Sequence, residues 1–578
     1  LASKLSRFFS ELKRRKVYHV ALAYVAVALV VWGATDFAVD AMSLGDSAKG
    51  FVLLLTLVGF PIALVLAWAH EVQPAPPSPP ELQADSPEPT ALVPTEEKSI
   101  VVLPFDNLSP DPENEYFTDG LTDELIADLS LVRSLRVISR TSAMQLKGTE
   151  KDTRSIGQEL GVQYVLEGSV RRAGQDLRIT AQLIDAQRDA HLWTEKYSGA
   201  VEDVFDMQEK VSRAIVDELK IALDPGEDRR LATRPVDNLA AFECYLKARH
   251  QIWSLTEEAL DEAHELLKRG LAVMPDSGVL LATRAVANCQ YLNFMCKSPS
   301  TYPTLMKEAR VWATRAVDLD PESSVTHYAL GSVNFFGENP PGAVANWFRA
   351  VQLNPNDSDA LHWMGFALFA AGRELRKAEE LLGRAARIDP LNPLHAEVSQ
   401  SYPAWYTADF GAVLETWKTW RRLADTMKSP LLRLYIGYFH AASGDFQEAF
   451  RWFDNNLRDA PGHPAAVLGA FLRRALEGDP DGALETVTPE LEQAAWWDDF
   501  TPVIMAGAYA LIGKSERALH WVDRATVMGT TNVAFLGEHE PFLERLHGDP
   551  GFDALLEEAS RRSQALTSQV DLEALRDL

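Results

Sequence analysis

The sequence predicts a multidomain protein with a two-helix transmembrane anchor, a small α/β domain and a C-terminal all-α solenoid. Three observations predict it. Two apolar runs lie within the first 72 residues, alternating strand and helix patterns fill residues 98–223, and a motif recurs through residues 237–530. A chain of 578 residues can bury several cores, so neither disulfides nor a structural metal are needed for stability.

Residues 1–16 form a basic start expected to stay in the cytoplasm. They carry Lys4, Arg7, Lys13, Arg14, Arg15 and Lys16 against Glu11, a local charge of +5. The whole chain stands at −26, which leaves −31 on the remainder. So acidic a surface repels phosphates and argues against a nucleic-acid partner. Within residues 17–72, two runs, 17–39 and 51–69, are apolar for about the length of a bilayer crossing. Tyr18, Trp32 and Trp68 near their ends suit the membrane interface, and Pro61 would kink the second helix. His19 and Asp36 sit near the ends of the first run, where Asp36 reads as snorkelling to the boundary. The first run is too long for a signal peptide and lacks a small-residue cleavage site. With only Lys49 basic in the connecting loop, two crossings return the rest of the chain to the cytoplasm.

Residues 73–97 are rich in proline and acidic groups, the composition of a semi-extended linker. From residue 98 the run SIVVLPF reads as a buried strand. A helix follows over YFTDGLTDELIADLSLV, with Thr118, Asp119 and Thr122 as candidate caps and Leu121, Leu125, Ile126 and Leu129 along one face. Residues 135–140 then read as a strand, 156–161 as a short helix and 164–186 as a hairpin turning at Ala173 and Gly174. HLWTEKY adds another strand, and the helix after it ends before Pro225. Alternation of this kind describes a compact α/β domain.

The stretches VLPFDNLSPDPENEYFTDGLTDELIADLS, VISRTS, LGVQYVLEGSVRRAGQDLRITAQLIDA and HLWTEKYSG resemble the TolB-like, or FlgO-like, amino-terminal domain over residues 98–223. That resemblance implies a bacterial inner-membrane protein, because such domains often precede helical repeats in membrane proteins. Some class III adenylate cyclases and membrane-bound transcriptional regulators share this layout. The sequence contains no cyclase domain and no winged helix, so neither activity carries over. Relatives often have a third membrane helix before the α/β domain, which would make the soluble part periplasmic. Here the proline-rich linker stands in that place, and the cytoplasm is the expected side, with the periplasm as the alternative.

The clearest repeat runs VTHYALGSVNFFGENPPGAVANWFRAVQLNPNDSD, residues 325–359. Gly331 and Ala343 mark where two helices cross, Ala350 leaves room for the next hairpin, and Pro355 stops the second helix. The next copy matches at Met364, Gly365, Ala378, Leu382, Ala385, Ile388 and Pro390, with one inserted residue. Small residues at helix crossings and a closing proline resemble the tetratricopeptide repeat. Other copies surround residues 263–275, 309–321, 437–461 and 506–528, and degenerate ones lie at 395–430 and 465–497. Seven or eight units would stack into a superhelix, followed at 531–578 by a helical cap.

Motifs of catalysis are missing: the sequence has no GxxxxGK, HExxH, GxSxG or glycine-rich dinucleotide turn. No catalytic, metal or cofactor-binding residues are therefore expected. Cys244, Cys289 and Cys296 are odd in number and lack CxxC spacing, so they read as free thiols. Asp119, Asp123 and Glu124 read as complements to a helix dipole, Arg171 and Arg172 as a solvated turn, and His191 and Trp193 as strand residues. On the first helices of the repeats, Tyr328, Ser332, Phe335, His362, Phe366, Phe369, Leu434 and Tyr438 fall on the side expected to line the concave face, although some of these positions equally suit an interhelical core. An aromatic groove of this kind suits a helix or extended segment of a protein partner. The expected function is that of a non-enzymatic, membrane-anchored scaffold docking onto a larger membrane protein complex. The alternative is a sensor whose α/β domain binds a ligand and whose repeats relay the state to a separate effector.

Overall fold

The computed structural model describes residues 97–578 apart from 112–113, 235, 253–256, 295–300, 427 and 495–499. Both apolar runs, the linker through residue 96 and Cys296 lie outside the described residues. Among the described residues no helix is long and apolar enough to cross a membrane.

The first part is an α/β domain. Its strands are β1 (Lys98–Val102), β2 (Asp106–Asn107), β3 (Leu135–Val137), β4 (Tyr164–Ala173), β5 (Asp176–Asp185) and β6 (Ala190–Ala200). They form one sheet in the order β3-β1-β4-β5-β6, with β2 also paired to β4. β1 runs parallel to β3 and β4, whereas β4, β5 and β6 are antiparallel. Ile100, Val101 and Val102 are fully buried, as the continuous β-branched run of β1 requires. The helices are α1 (Glu115–Ser130), α2 (Arg140–Met144), α3 (Thr153–Leu160) and α4 (Val204–Glu218). Residues 135–140 do not remain a strand throughout. Ser139 caps α2 by accepting from Ser142 N, which ends β3 at Val137.

A long helical repeat region follows α5 (Pro225–Ala232). Its helices come in consecutive pairs: α6 (Leu239–Ile252) with α7 (Glu257–Val273), α8 (Gly278–Phe294) with α9 (Tyr302–Leu319), and α10 (Ser324–Phe336) with α11 (Pro340–Leu353). Next come α12 (Ser358–Ala370) with α13 (Leu375–Ile388), and α14 (Ser399–Tyr406) with α15 (Phe410–Thr416), followed by α16 (Lys418–Thr426). Then α17 (Pro430–Ala442) pairs with α18 (Phe446–Asp459), and α19 (Pro464–Leu476) with α20 (Pro480–Thr486). After α21 (Pro489–Ala494), α22 (Thr501–Leu511) pairs with α23 (Ser515–Met528), and α24 (Pro550–Ala565) and α25 (Leu572–Asp577) end the described helices. In the two degenerate copies the second helices, α15 and α20, have only 7 residues each. Gly331 shows why small residues recur: a Cβ there would sit 2.6 Å from the Trp347 indole. Only glycine lets α10 and α11 approach so closely.

The α/β domain is docked on the turns between repeats. Asn356, in the turn before α12, is 9% exposed, and its side chain serves three backbone groups. Nδ2 donates to the carbonyls of Ser130 (3.0 Å) and Leu135 (2.9 Å), and Oδ1 accepts from Val137 N (3.1 Å). One turn later in the array, Asp389 accepts from Ser142 Oγ (2.6 Å) and Ser139 Oγ, while Ser139 N donates to Ile388 O (2.8 Å). On another side, Leu246 of α6 fills the space where a side chain at Gly120 of α1 would stand.

The end of the chain turns back on the middle of the array. Thr531 N and Asn532 N both donate to Ala370 O, Asn532 Nδ2 donates to Phe369 O, and Ser563 Oγ donates to Ala371 O. Arg576 pairs with Glu374 at 2.6 Å and Arg524 with Glu338 at 3.0 Å.

Replacing Asn356 by alanine would leave two carbonyls and one amide of the α/β domain unsatisfied at a buried site. The expected cost is about 2–4 kcal/mol, read as a lower melting temperature and faster amide exchange at Val137. Exchange there as slow as in the parent would show that the junction does not depend on this side chain.

Candidate functional site

The residues expected to line a partner groove lie mostly in the interior. Phe335, Phe366 and Phe369 are 4%, 6% and 3% exposed, and His362, Leu434 and Tyr438 are fully buried. The returning end of the chain explains part of this burial. Phe335 packs on Trp363 (5.6 Å) and Phe366 on Tyr402 (5.1 Å), while Tyr406 meets Phe535 at 5.0 Å. Tyr438 meets Phe500 and Phe542 at 5.1 and 5.7 Å and donates its hydroxyl hydrogen to Glu540. His362 is held by Ser399 Oγ at 2.7 Å. At these positions the rings are packed inside the array. Truncating these rings would remove packing worth about 3–5 kcal/mol each, so lost binding in such variants would report on folding. Tyr328 is different, being half-buried and lining a cavity.

That cavity, of about 410 Å³, lies where the α/β domain meets the repeats. Its size is in the range of small-molecule sites. The α/β side contributes Asp123, Glu124 and Asp128 from α1 and Phe205 and Gln208 from α4. The helical region contributes Phe242, Tyr245 and Arg249 from α6, Val279, Thr283, Val286 and Gln290 from α8, and Tyr328 from α10. Asn356 and Asp357 close it from the turn before α12, so the residue that clamps the junction is also part of the wall.

Asp119, Asp123 and Glu124 are not at the start of α1. The helix begins at Glu115, with Asn114 at its N-cap and no side-chain cap, which places Thr118, Asp119, Thr122 and Asp123 inside it. Thr122 Oγ1 accepts from Phe105 N (3.1 Å) and donates to Thr118 O (3.1 Å), bonding β1's following loop to the helix. Asp119 pairs with Lys147 (2.6 Å), Asp123 with Arg140 (2.5 Å) and Glu124 with Arg249 (3.0 Å). Asp128 has only neutral donors, Gln208 Nε2 at 3.0 Å and Ser212 Oγ at 3.1 Å. The N-cap of α12 is Asp357, which accepts from Ala360 N at 2.9 Å. Arg172 is engaged as well, 2.8 Å from Glu243 and stacked over Phe117, whereas Arg171 is exposed. His191 is exposed at the sheet edge and Trp193 half-buried.

Three of the lining carboxyls titrate far above their ordinary range. Burial pushes Glu124 up to about 7 despite Arg249. Burial also raises Asp128 to about 7, against the bonds from Gln208 and Ser212 and with the charges of Glu124 and Glu209 adding to it. Asp357 reaches about 7 through burial and the neighbouring Asp359, with its backbone bonds and His395 acting the other way. Nearby, burial lowers His395, but Asp359 and Asp389 outweigh it and hold the imidazole up at about 9. Among the described residues no three His, Cys, Asp or Glu side chains converge on a metal position. The cavity, Asn356 and Asp389 were not singled out from sequence, and their only signal is a polar residue next to each repeat-closing proline.

The chain resembles known proteins over parts of its length. Residues 96–215 match the family described as HilA/YgeH-like transcriptional regulator, second domain, which coincides with the α/β domain. "Putative adenylate cyclase 3" of Rhizobium meliloti (strain 1021) is 38% identical over 252 residues, covering 44% of this chain and 42% of that protein. The chain thus matches less than half the length of this curated relative. The crystal structure of lipoprotein GNA1162 from Neisseria meningitidis aligns at 19% identity with a TM-score of 0.17, covering 21% of this chain and 98% of that one.

The raised carboxyls make the junction sensitive to pH. A carboxyl at about 4 in the unfolded chain and about 7 in the folded one contributes its full stabilisation below pH 4, and the contribution fades as pH rises to 7. Asp128→Asn keeps the acceptor for Gln208 and Ser212 but removes the charge. The variant is expected to gain about 1–2 kcal/mol over the parent at pH 8, a few degrees in Tm, and nothing at pH 4. Melting curves of the full chain at the two pH values check this, and equal differences at both would contradict it.

Proposed function

We propose that this is a membrane-anchored, non-enzymatic signalling protein in which a small molecule, bound between the α/β domain and the repeats, sets how the two are held together. The observation that carries this reading is the cavity of about 410 Å³ whose walls come from both parts. On this reading the α/β domain is of the TolB-like kind and the repeats are of the tetratricopeptide kind. The two apolar runs hold the chain at a bacterial inner membrane, with the soluble part on the cytoplasmic side. Its output is contact with a separate protein, a membrane complex included, through surfaces other than the filled interior of the array.

The likenesses support a signalling role without assigning an activity. One matching family is named for transcriptional regulators and one relative for adenylate cyclase, two kinds of regulatory output. The part shared with the cyclase-named relative is 42% of that protein, and we place sensing and relay, not cyclisation, in this chain.

Native mass spectrometry of the full chain, extracted gently from membranes, tests the reading. A bound species of small-molecule mass is expected on the parent protein and not on Ala127→Trp, which fills the cavity from an exposed wall position. Val286→Phe serves as an independent filling, and unchanged melting shows that both variants fold. A chain that carries no small molecule and co-purifies at fixed ratio with one membrane complex would overturn the sensor in favour of a structural scaffold.

A further inference from the structure

A carboxyl is buried where the end of the chain closes on the array. Glu540, 3% exposed, lies in the returning stretch just before the short helix Pro541–Leu546. Its Oε1 accepts from Phe542 N at 3.3 Å, and its Oε2 takes the hydroxyl of Tyr438 on α17. Rings surround the pair: Phe500, Phe542 and Phe410 meet Tyr438 at 5.1, 5.7 and 6.1 Å. Among the described residues the titratable group facing this carboxyl is the Tyr438 phenol, which burial and Glu540 push well above its ordinary value. The cations of neighbouring elements are engaged elsewhere. On α17, Arg433 pairs with Asp459 at 2.8 Å and His440 with Asp445 at 3.3 Å, and α22 carries no charged side chain. On the returning stretch, Glu538, Glu544 and Arg545 are exposed, Arg545 donating to Leu511 O, and His539 is half-buried.

The stretch is attached as a strap would be. It leaves α23 at Gly529, whose φ of +122° is a conformation that side chains strain to adopt. Thr531 N and Asn532 N then donate to Ala370 O at 2.8 Å, at the end of α12. Arg524 and Arg576 flank it, paired with Glu338 and Glu374 in the turns of two successive helix pairs. These joints end on turns and side chains, not in a shared helix or sheet. Phe535, Phe542, Leu543 and Leu546 seat the strap by burial, so Glu540 is the charged group that must enter the interior with them.

Burial pushes Glu540 up to about 7, against the bonds from Tyr438 and Phe542 N, whereas an open strap returns it to the ordinary 4.5. Closure therefore takes up a proton. Its contribution is complete below about pH 4.5 and lost as pH rises to 7. We infer that residues 530–546 form a proton-dependent latch: with Glu540 neutral the stretch stays seated on Tyr438 and the end of α12, and with Glu540 ionised it opens about Gly529. Opening uncovers the rings it packs on, Tyr406 and Tyr438 among them.

Amide exchange of the full chain tests this, read by mass spectrometry on peptides within residues 530–546 and corrected for the intrinsic rate at each pH. Protection in the parent is expected to fall about a hundredfold between pH 4.5 and 7 and to level off above that. Glu540→Gln, neutral at every pH, is expected to hold protection constant. Asp128→Asn alters the seam and not the latch, and keeps the parent's fall. Tyr438→Phe removes the donor that serves the ionised carboxylate and deepens the fall, which decides the matter should the glutamine variant fail to fold. Protection independent of pH in the parent, a fall that persists in Glu540→Gln, or one no deeper in Tyr438→Phe would overturn the latch. So would an equal fall in every helix of the array, since the chain would then be opening as a whole.

Discussion

The fold hangs on a small set of hydrogen bonds between a turn and a sheet. The side chain of Asn356 occupies the buried seam between the α/β domain and the repeats, giving two hydrogens and accepting one. Its three partners are backbone groups at the end of α1 and along β3, which would otherwise be cut off from water with nothing to bond. A buried edge of this sort is unstable unless every group finds a partner. Asp389 does the same one repeat later, taking two serine hydroxyls of the α/β domain. The spacing of the repeats thus sets where the domain can sit, because its two anchor points lie on successive inter-repeat turns.

The second constraint is the closure of the array on itself. First helices of such repeats expose apolar side chains on their inner side, and in an open superhelix that surface would face water or a partner. In this chain residues 530–577 return to the ends of α12 and α13, and Phe500, Phe535 and Phe542 contribute rings to the interior. Edge-to-face pairs among these aromatics add about 0.5–1.5 kcal/mol each beyond the area they bury. A continuous aromatic cluster of this kind holds the repeats in one curvature. The position left lining an open space is Tyr328, at the cavity beside the α/β domain.

Much of this was legible in the sequence because it depends on local patterns. The β-branched run at residues 100–102 and the turn at Ala173 and Gly174 gave strands close to those observed. The helix pairs were visible from small residues such as Gly331, whose role is a contact within one hairpin. What could not be read depends on contacts distant in sequence. The face of a helix shows which residues point inward, but not that residues 530–577 supply part of what lies there. Likewise Asp123 and Glu124 look like dipole complements when Thr118, Asp119 and Thr122 are read as caps, whereas the helix already begins at Glu115. Asn356 and Asp389 look like ordinary turn residues until a second domain is placed on them.

The position of the cavity has a mechanical consequence. Its walls cannot move independently, because Asn356 both lines it and bonds β3, and Asp357 beside it begins α12. Any event that changes the charge balance at Asp128 and Asp357 therefore acts on the seam as well as on the pocket. Burial raises both carboxyls, so ionising either without a counter-charge costs stability. The effect of a ligand bound in the cavity is then a difference between the closed and the opened junction, which is the form it must take to shift a population. The same seam that makes the fold possible is in this way the element most open to control.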